Sequence, residues 1–133
     1  MIAIDTNVLL RYLLRDDEAQ AERARRVIEG GERVLNTDVV LAETVWTLAG
    51  RRYHATRTDL IDLVNNLLQD ANVRFEDDEV VWSALQVFRR TEADFAAALV
   101  VCKAQKTVSD GDELTSVYTF DDVALQLPGT AEP

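Results

Sequence analysis

The stretch Ile2-Ala3-Ile4-Asp5-Thr6-Asn7-Val8-Leu9-Leu10 decides the fold of this 133-residue chain. Its first three residues are apolar and are typical of a short buried strand. Asp5 follows this strand, and Thr6 can cap a helix that begins at Asn7 and continues through an apolar run. A buried strand that leads directly into a helix indicates an α/β protein with the strand inside.

The same alternation continues along the chain. Helices are predicted over 17–29, 38–52 and 59–69 and from 77 and 94 onward, and strands over 33–36, 73–75 and 117–120. This order predicts an α/β layer fold with a parallel sheet. A chain of this length suits one domain, 1–133, with a single core. We expect residues 129–133 to form a frayed tail.

Charge and cysteine content limit the classes of function. A net charge of −10 disfavours nucleic-acid binding over the general surface, although a local metal site with a few arginines remains possible. The single cysteine, Cys102, lies in an apolar run, so a core residue is expected rather than a disulfide partner or nucleophile. The chain start lacks the basic region of a signal peptide, and no apolar run has membrane-spanning length. These features together predict a cytoplasmic protein.

Four acidic residues are placed where they could converge on one metal ion: Asp5, Glu43, Asp94 and Asp121. Asp5 and Asp121 each follow a predicted strand, and sites in open parallel sheets lie beyond the carboxyl ends of strands. Glu43 lies in a helix that is apolar nearly all round and is therefore predicted to be buried. A buried carboxylate needs a compensating cation, unless the Glu43 side chain reaches solvent. Asp94 opens a helix, where an acid can equally be a simple cap.

Several carboxylates around Mg²⁺ or Mn²⁺ are what phosphodiester hydrolysis requires. The ion activates water and neutralises charge on the phosphate, while acids that do not bind it directly orient its waters. Other classes fit less well. No G-x-G-x-x-G follows the first strand, and the segment Asp5-Thr6-Asn7 lacks the second aspartate of aspartate-nucleophile phosphatases.

Four stretches in order resemble PIN-domain ribonucleases, especially the VapC toxins of bacterial toxin–antitoxin pairs. They are Ile4-Asp5-Thr6-Asn7-Val8-Leu9, Val40-Leu41-Ala42-Glu43-Thr44-Val45-Trp46, Ala93-Asp94-Phe95-Ala96 and Tyr118-Thr119-Phe120-Asp121. The resemblance covers essentially the whole chain. It implies a three-layer α/β/α sandwich with a short, mainly parallel sheet. It also implies an endoribonuclease that uses Mg²⁺ or Mn²⁺ on RNA, forms a homodimer and is controlled by a cognate protein antitoxin (VapB-like).

The resemblance also assigns roles to residues. Asp5, Glu43 and Asp121 correspond to the family's acidic positions, and Thr6, Asn7 and Thr119 to polar positions around them. Asp5, Asp94 and Asp121 are the expected metal ligands, with Asp5 the foremost. In the toxins a second aspartate usually follows three residues after Asp94, but Ala97 stands there. Three explanations are open: Asp94 substitutes from the same helical face, the chain was deliberately inactivated, or it is a naturally degenerate member that only binds its partner.

Basic residues supply candidates for RNA contact. Arg11 and Arg15 lie i, i+4 on the first helix and could guide a phosphate, although the adjacent Asp16 and Asp17 favour an interpretation as solvated surface arginines. The densest basic cluster comprises Arg51, Arg52, His54 and Arg57, which form either an RNA contact or a solvent-facing helix end. The acids near the last strand are expected to be solvated, although Asp112 or Asp122 could supplement Asp121; these acids are Asp110, Asp112, Glu113 and Asp122.

Overall fold

The computed structural model describes residues 1–108 and 111–133, and the chain forms two compact units, Met1–Asp78 and Glu79–Pro133. The first unit contains β1 (Ile2–Ala3), α1 (Thr6–Leu14), α2 (Glu18–Ile28), β2 (Val34–Asn36), α3 (Asp38–Ala49), α4 (Arg57–Gln69) and β3 (Val73–Phe75). The second contains most of α5 (Asp78–Arg90), then α6 (Phe95–Thr107), β4 (Val117–Tyr118), a 3₁₀ helix (Ala124–Gln126) and β5 (Thr130–Ala131). Within the described ranges, no helix has both the length and the apolar character that a membrane span requires.

The first unit is built around a parallel sheet in the order β1-β2-β3. Ile2 pairs with Val34, and Val34 pairs in turn with Val73, so β2 is the central strand. Ile4, Leu9, Val34 and Val40 form a buried apolar cluster that joins the sheet to α1 and α3. The prediction of an α/β fold with a short parallel sheet is confirmed.

Side-chain caps determine where the helices begin. The carboxylates of Asp5 and Asp17 accept hydrogen bonds from the backbone N–H groups of Val8 and Gln20. Asp5, with φ of −92° and ψ of 176°, is therefore the cap of α1, and the prediction that Thr6 caps this helix is wrong. Thr6 already lies in the first helical turn, where its own N–H is one of the groups that needs a partner.

The fourth helix shows a reciprocal cap. The Thr56 hydroxyl accepts the N–H of Asp59 at 3.1 Å, and the Asp59 carboxylate accepts the N–H of Thr56 at 3.0 Å. Two helix-terminal donors are thereby satisfied, and α4 begins at Arg57 rather than at 59 as predicted. The third helix ends at Ala49 rather than at 52, because Gly50 adopts an extended conformation after it.

The second unit differs from prediction at its end. β4 pairs in parallel with β5, with Val117 opposite Thr130, and the Thr119 N–H donates to the Ala131 carbonyl at 3.0 Å. The expectation of a frayed tail over 129–133 is wrong, since Thr130–Ala131 carries this pairing. Asp121 does follow a strand, but that strand belongs to a separate two-stranded sheet and not to the sheet that precedes Asp5.

Candidate functional site

A cavity of about 530 Å³ lies in the first unit, where the N-terminal end of α1 faces α3. Helix α1 and its cap contribute Asp5, Thr6 and Asn7, and α3 contributes Glu43. Four of the acidic and supporting polar residues predicted from the sequence therefore line one cavity. The remaining lining residues are Leu10, Arg11, Thr47, Gly50, Arg51, Arg52 and Tyr53.

Asp5 is exposed and has only part of its carboxylate engaged. Its Oδ1 atom accepts the Val8 N–H at 3.1 Å, which fixes the side chain at the start of α1. Because a carboxylate has two oxygens, capping by Oδ1 leaves Oδ2 available to a cation at the mouth of the cavity. The cap thus orients the residue that the sequence identified as the foremost ligand.

Glu43 corrects one expectation. The sequence predicted a buried helix with a buried carboxylate, yet Glu43 is exposed, as are Val39 and Trp46 on the same face of α3. The buried face of this helix carries Leu41, Thr44, Val45 and Leu48 instead. The burial argument for a compensating cation therefore fails. What connects Glu43 to a metal is its position in the same cavity as Asp5.

Of the two candidate RNA-contacting arginines, the structure places only Arg11 at the cavity. Arg11 donates to the Asp16 carboxylate, and this hydrogen bond raises the pKa of Arg11 and lowers the pKa of Asp16. Arg52 lies 3.9 Å from the same carboxylate. Arg15 is exposed, has a left-handed backbone with φ of 53°, and lies 5.8 Å from the centre of the Tyr12 ring.

A second cavity of about 540 Å³ adjoins the first between α1 and α2. Asp5, Asn7 and Arg11 line both cavities, so these three side chains separate the two spaces. The other walls of the second cavity are formed largely by apolar residues and by Gln20 and Arg23 of α2. Asp5 is consequently accessible from both cavities.

The donors at the first cavity suit a hard cation. Asp5 and Glu43 provide carboxylate oxygens, Asn7 an amide oxygen and Thr6 a hydroxyl, and Mg²⁺ typically binds one or two carboxylates while it keeps several waters. Within residues 1–108 and 111–133, no three His, Cys, Asp or Glu side chains form a group that could hold a metal ion. The chemistry of the two-carboxylate set fits Mg²⁺ or Mn²⁺ bound through waters.

The other candidate acids belong to the second unit and also accept hydrogen bonds from nearby backbone N–H groups. Asp94 accepts the Ala97 N–H at 2.7 Å at the start of α6, so its interpretation as a cap is confirmed. Asp121 Oδ1 accepts the Val123 N–H at 2.9 Å, and the Thr119 hydroxyl accepts the Asp121 N–H at 3.0 Å. Each of these carboxylates is exposed and retains a second oxygen.

The remaining sequence candidates have simpler environments. Cys102 is half-buried on α6, and burial raises the pKa of its thiol, which keeps the thiol protonated and poorly nucleophilic. The three acids that could be placed are exposed, as expected; they are Asp112, Glu113 and Asp122. Asp110 lies outside the described residues.

The sequence identified Arg51 and Arg52 as candidates for RNA contact, but it did not reveal the turn after α3 that brings them to the cavity or the contribution of Tyr53. The N–H of His54 donates to the Gly50 carbonyl at 2.9 Å, and that of Ala55 donates to the Leu48 carbonyl at 2.8 Å. These bonds fold residues 50–55 back over the helix end and bring Arg51, Arg52 and Tyr53 to the cavity. Gly50 was the available signal, because a glycine after an apolar helix often marks the end of that helix.

Comparison with known proteins gives one match. A family model described as PIN domain matches residues 2–127, which is most of the chain. No curated protein and no solved structure matches the chain.

Proposed function

The chain belongs to the PIN domain family, whose members are nucleases, and we propose that it is a divalent-metal-dependent endoribonuclease and the toxin of a VapC-type toxin–antitoxin pair. The observation that carries this proposal is the shared cavity of Asp5 and Glu43, with Thr6 and Asn7 beside them. These residues come from two separate stretches that resemble the toxins. They supply the oxygen donors that Mg²⁺ or Mn²⁺ requires.

The side chains at the cavity have distinct roles in this proposal. When bound, the divalent ion supplies an activated water and neutralises charge on the phosphate. Asp5 would hold the ion through the carboxylate oxygen that does not cap α1, and Glu43 would provide a proton-accepting carboxylate in the same cavity. Thr6 and Asn7 orient water by hydrogen bonding. Arg11 lines the same cavity and attracts the phosphodiester through its guanidinium charge.

The resemblance extends the proposal to residues of the second unit and to partners. Asp94 and Asp121 are proposed as further functional acids, and Thr119 positions the Asp121 backbone through its hydroxyl. We also propose a homodimer and a protein antitoxin that presents a basic side chain to the acids. The net charge of −10 suits such a basic partner.

Ala97 supports a second candidate, a catalytically impaired PIN domain that acts as an antitoxin-binding module. An alanine side chain offers no ligand atom where the toxins usually carry an aspartate. In addition, one oxygen of Asp94 is engaged by the Ala97 N–H, so Asp94 has only its other oxygen with which to substitute. The two candidates differ in a single measurable property, which is metal-dependent cleavage.

Introducing Ala97→Asp tests both candidates. We expect the substitution to raise cleavage of single-stranded RNA in Mg²⁺ or Mn²⁺ and to increase metal affinity, measured by calorimetry. The fold should accept it, because position 97 is the third residue of α6, and Asp59 occupies the matching position of α4.

Ala96→Asp is the matched control. It adds the same charge one residue earlier, on a different face of the same helical turn, and should leave both cleavage and metal affinity unchanged. Equal responses to the two substitutions, or no response to Ala97→Asp in either measurement, would contradict a ligand position at 97. Cleavage that survives Asp5→Ala would contradict the site itself.

A further inference from the structure

Trp46 is an exposed aromatic residue beside the cavity. Trp46 is 72% exposed and Val39 is 65% exposed, although large apolar residues are usually removed from water. Both residues lie on the face of α3 that carries Glu43. Residues three and four apart on a helix are surface neighbours, so Trp46 and Val39 flank Glu43 on either side along the helix.

Positive charge lies next to this aromatic surface. Helix α3 ends one turn beyond Trp46, and the turn that follows brings Arg51, Arg52 and Tyr53 to the cavity. Arg51 is exposed and makes no ion pair with any residue that the structure describes. The guanidinium of Arg52 lies 5.2 Å from the centre of the Tyr53 ring, and its side chain is 75% exposed.

We propose that Trp46 is a stacking platform for a base of single-stranded RNA whose adjoining phosphate is held by Arg51 and Arg52 at the cavity. This inference rests on the proposed nuclease function and makes Trp46 a residue that positions the substrate. A chain of bases with flat aromatic faces, joined by anionic phosphates, matches both features of the surface, because aromatic platforms beside basic grooves bind single strands.

A second copy of the chain is a poorer occupant for the same face. The two apolar side chains are separated by the Glu43 carboxylate. A two-fold interface centred on this face would place Glu43 near its own copy, and like charges brought together in a contact destabilise it. Dimerisation through Trp46 therefore serves as the competing outcome of the test.

The test measures binding separately from cleavage. The full chain is titrated into a short fluorescein-labelled single-stranded RNA in EDTA, and fluorescence anisotropy reports the affinity. Trp46→Ala should weaken binding by about 5- to 150-fold, the range expected for loss of one base stack. Trp46→Phe should retain most of the affinity, because it keeps an aromatic face.

Two controls make the result specific. Trp82 on α5 is the other tryptophan and is 57% exposed, so Trp82→Ala removes an equivalent side chain from the second unit and should leave binding unchanged. Inorganic polyphosphate carries charge without bases, so its affinity should not change in Trp46→Ala. Losses of the same size for RNA and polyphosphate would overturn the stacking role.

The remaining outcomes separate the two proposals. RNA binding that is equal in Trp46→Ala and Trp82→Ala would overturn the inference, and any metal-dependent cleavage in the same preparations would leave the nuclease function standing. Sedimentation velocity tests the competing outcome. If it shows a dimer that dissociates in Trp46→Ala, the stacking inference would also be overturned in favour of a protein contact. Trp46-dependent binding without cleavage, even in an Ala97→Asp background, would support the platform and refute the nuclease function.

Discussion

Replacing Asp5 with asparagine and with alanine separates its structural role from its chemical role. Asparagine keeps an oxygen that can accept the Val8 N–H, whereas alanine removes the 3.1 Å hydrogen bond altogether. Aspartate and asparagine are nearly equivalent as helix caps, and substitution of such a cap by alanine costs about 1 kcal/mol. Both substitutions remove the negative charge that a divalent cation requires.

These costs translate into measurable shifts. For 133 residues, an unfolding entropy of about 2.1 cal/mol/K per residue turns a loss of about 1 kcal/mol into a Tm decrease of about 4 °C. Asp5→Ala should show this decrease and Asp5→Asn only a small fraction of it. Both should lose metal-dependent cleavage by more than the roughly 10- to 100-fold typical of residues that merely orient metal ligands.

Asp17 provides the matched control. It caps α2 through the Gln20 N–H at 3.0 Å and does not line either cavity. Asp17→Ala should therefore lower Tm to a similar extent without affecting cleavage. Thermal unfolding and RNA cleavage would be measured for the parent chain and these three variants, each with and without Ala97→Asp. Full cleavage by Asp5→Asn would refute the ligand role, and equal destabilisation by Asp5→Asn and Asp5→Ala would refute the capping role.

Two further perturbations test the electrostatics. Hydrogen bonds from Arg25 hold the pKa of Glu22 at about 2 instead of 4.5, so Glu22 stabilises the folded state above about pH 4.5, and this contribution is lost as pH falls toward 2. Glu22→Gln should therefore be less stable than the parent chain at neutral pH and indistinguishable from it near pH 2; a difference in denaturation midpoint that is the same at every pH would contradict this linkage. Arg11→Ala should weaken RNA binding and lower the slope of log affinity against log salt concentration by about one phosphate contact. Arg15→Ala removes the same charge outside the cavity and should have less effect. Equal salt slopes for the two arginine variants would refute the assignment of Arg11.

Helix starts were predictable because their chemistry is local. Asp17 and Asp94 were identified as the first residues of helical segments, and each accepts an N–H three residues further along. A cap depends on a short side chain and a few neighbouring peptide groups, all of which the sequence displays. The misassigned cap at Thr6 was wrong by one residue, since Asp5 and Thr6 are both capable of this bond.

The surroundings of Glu43 could not be predicted in the same way. Helix α3 is apolar on nearly all sides, so its composition did not reveal which face would be covered. The fold buries Leu41 and Val45 and leaves Val39 and Trp46 exposed, and this choice depends on residues distant in sequence. The cavity itself was equally hidden, because it requires α3 and its following turn to lie against the start of α1.

Strand pairing near the C-terminal end was hidden for a related reason. The segment Thr130–Ala131 is too short to show an apolar alternation, and parallel pairing with β4 joins residues separated by a turn and a 3₁₀ helix. The sequence predicts the strand that precedes Asp121, but it does not reveal β5 as the partner of that strand. Partner choice depends on tertiary packing that short strands do not encode locally.

During synthesis, β4 leaves the ribosome before the strand with which it pairs. Thr119 donates its N–H to the carbonyl of Ala131, so this bond must wait until twelve further residues have emerged, which takes about one second at the usual rate of roughly 5–20 residues per second. The backbone just before Asp121 therefore gains this hydrogen bond only after every element from β1 to the 3₁₀ helix has been translated. A nascent chain would pass through an interval in which all the helices have been translated and Asp121 has only local hydrogen bonds, including those to Thr119 and Val123.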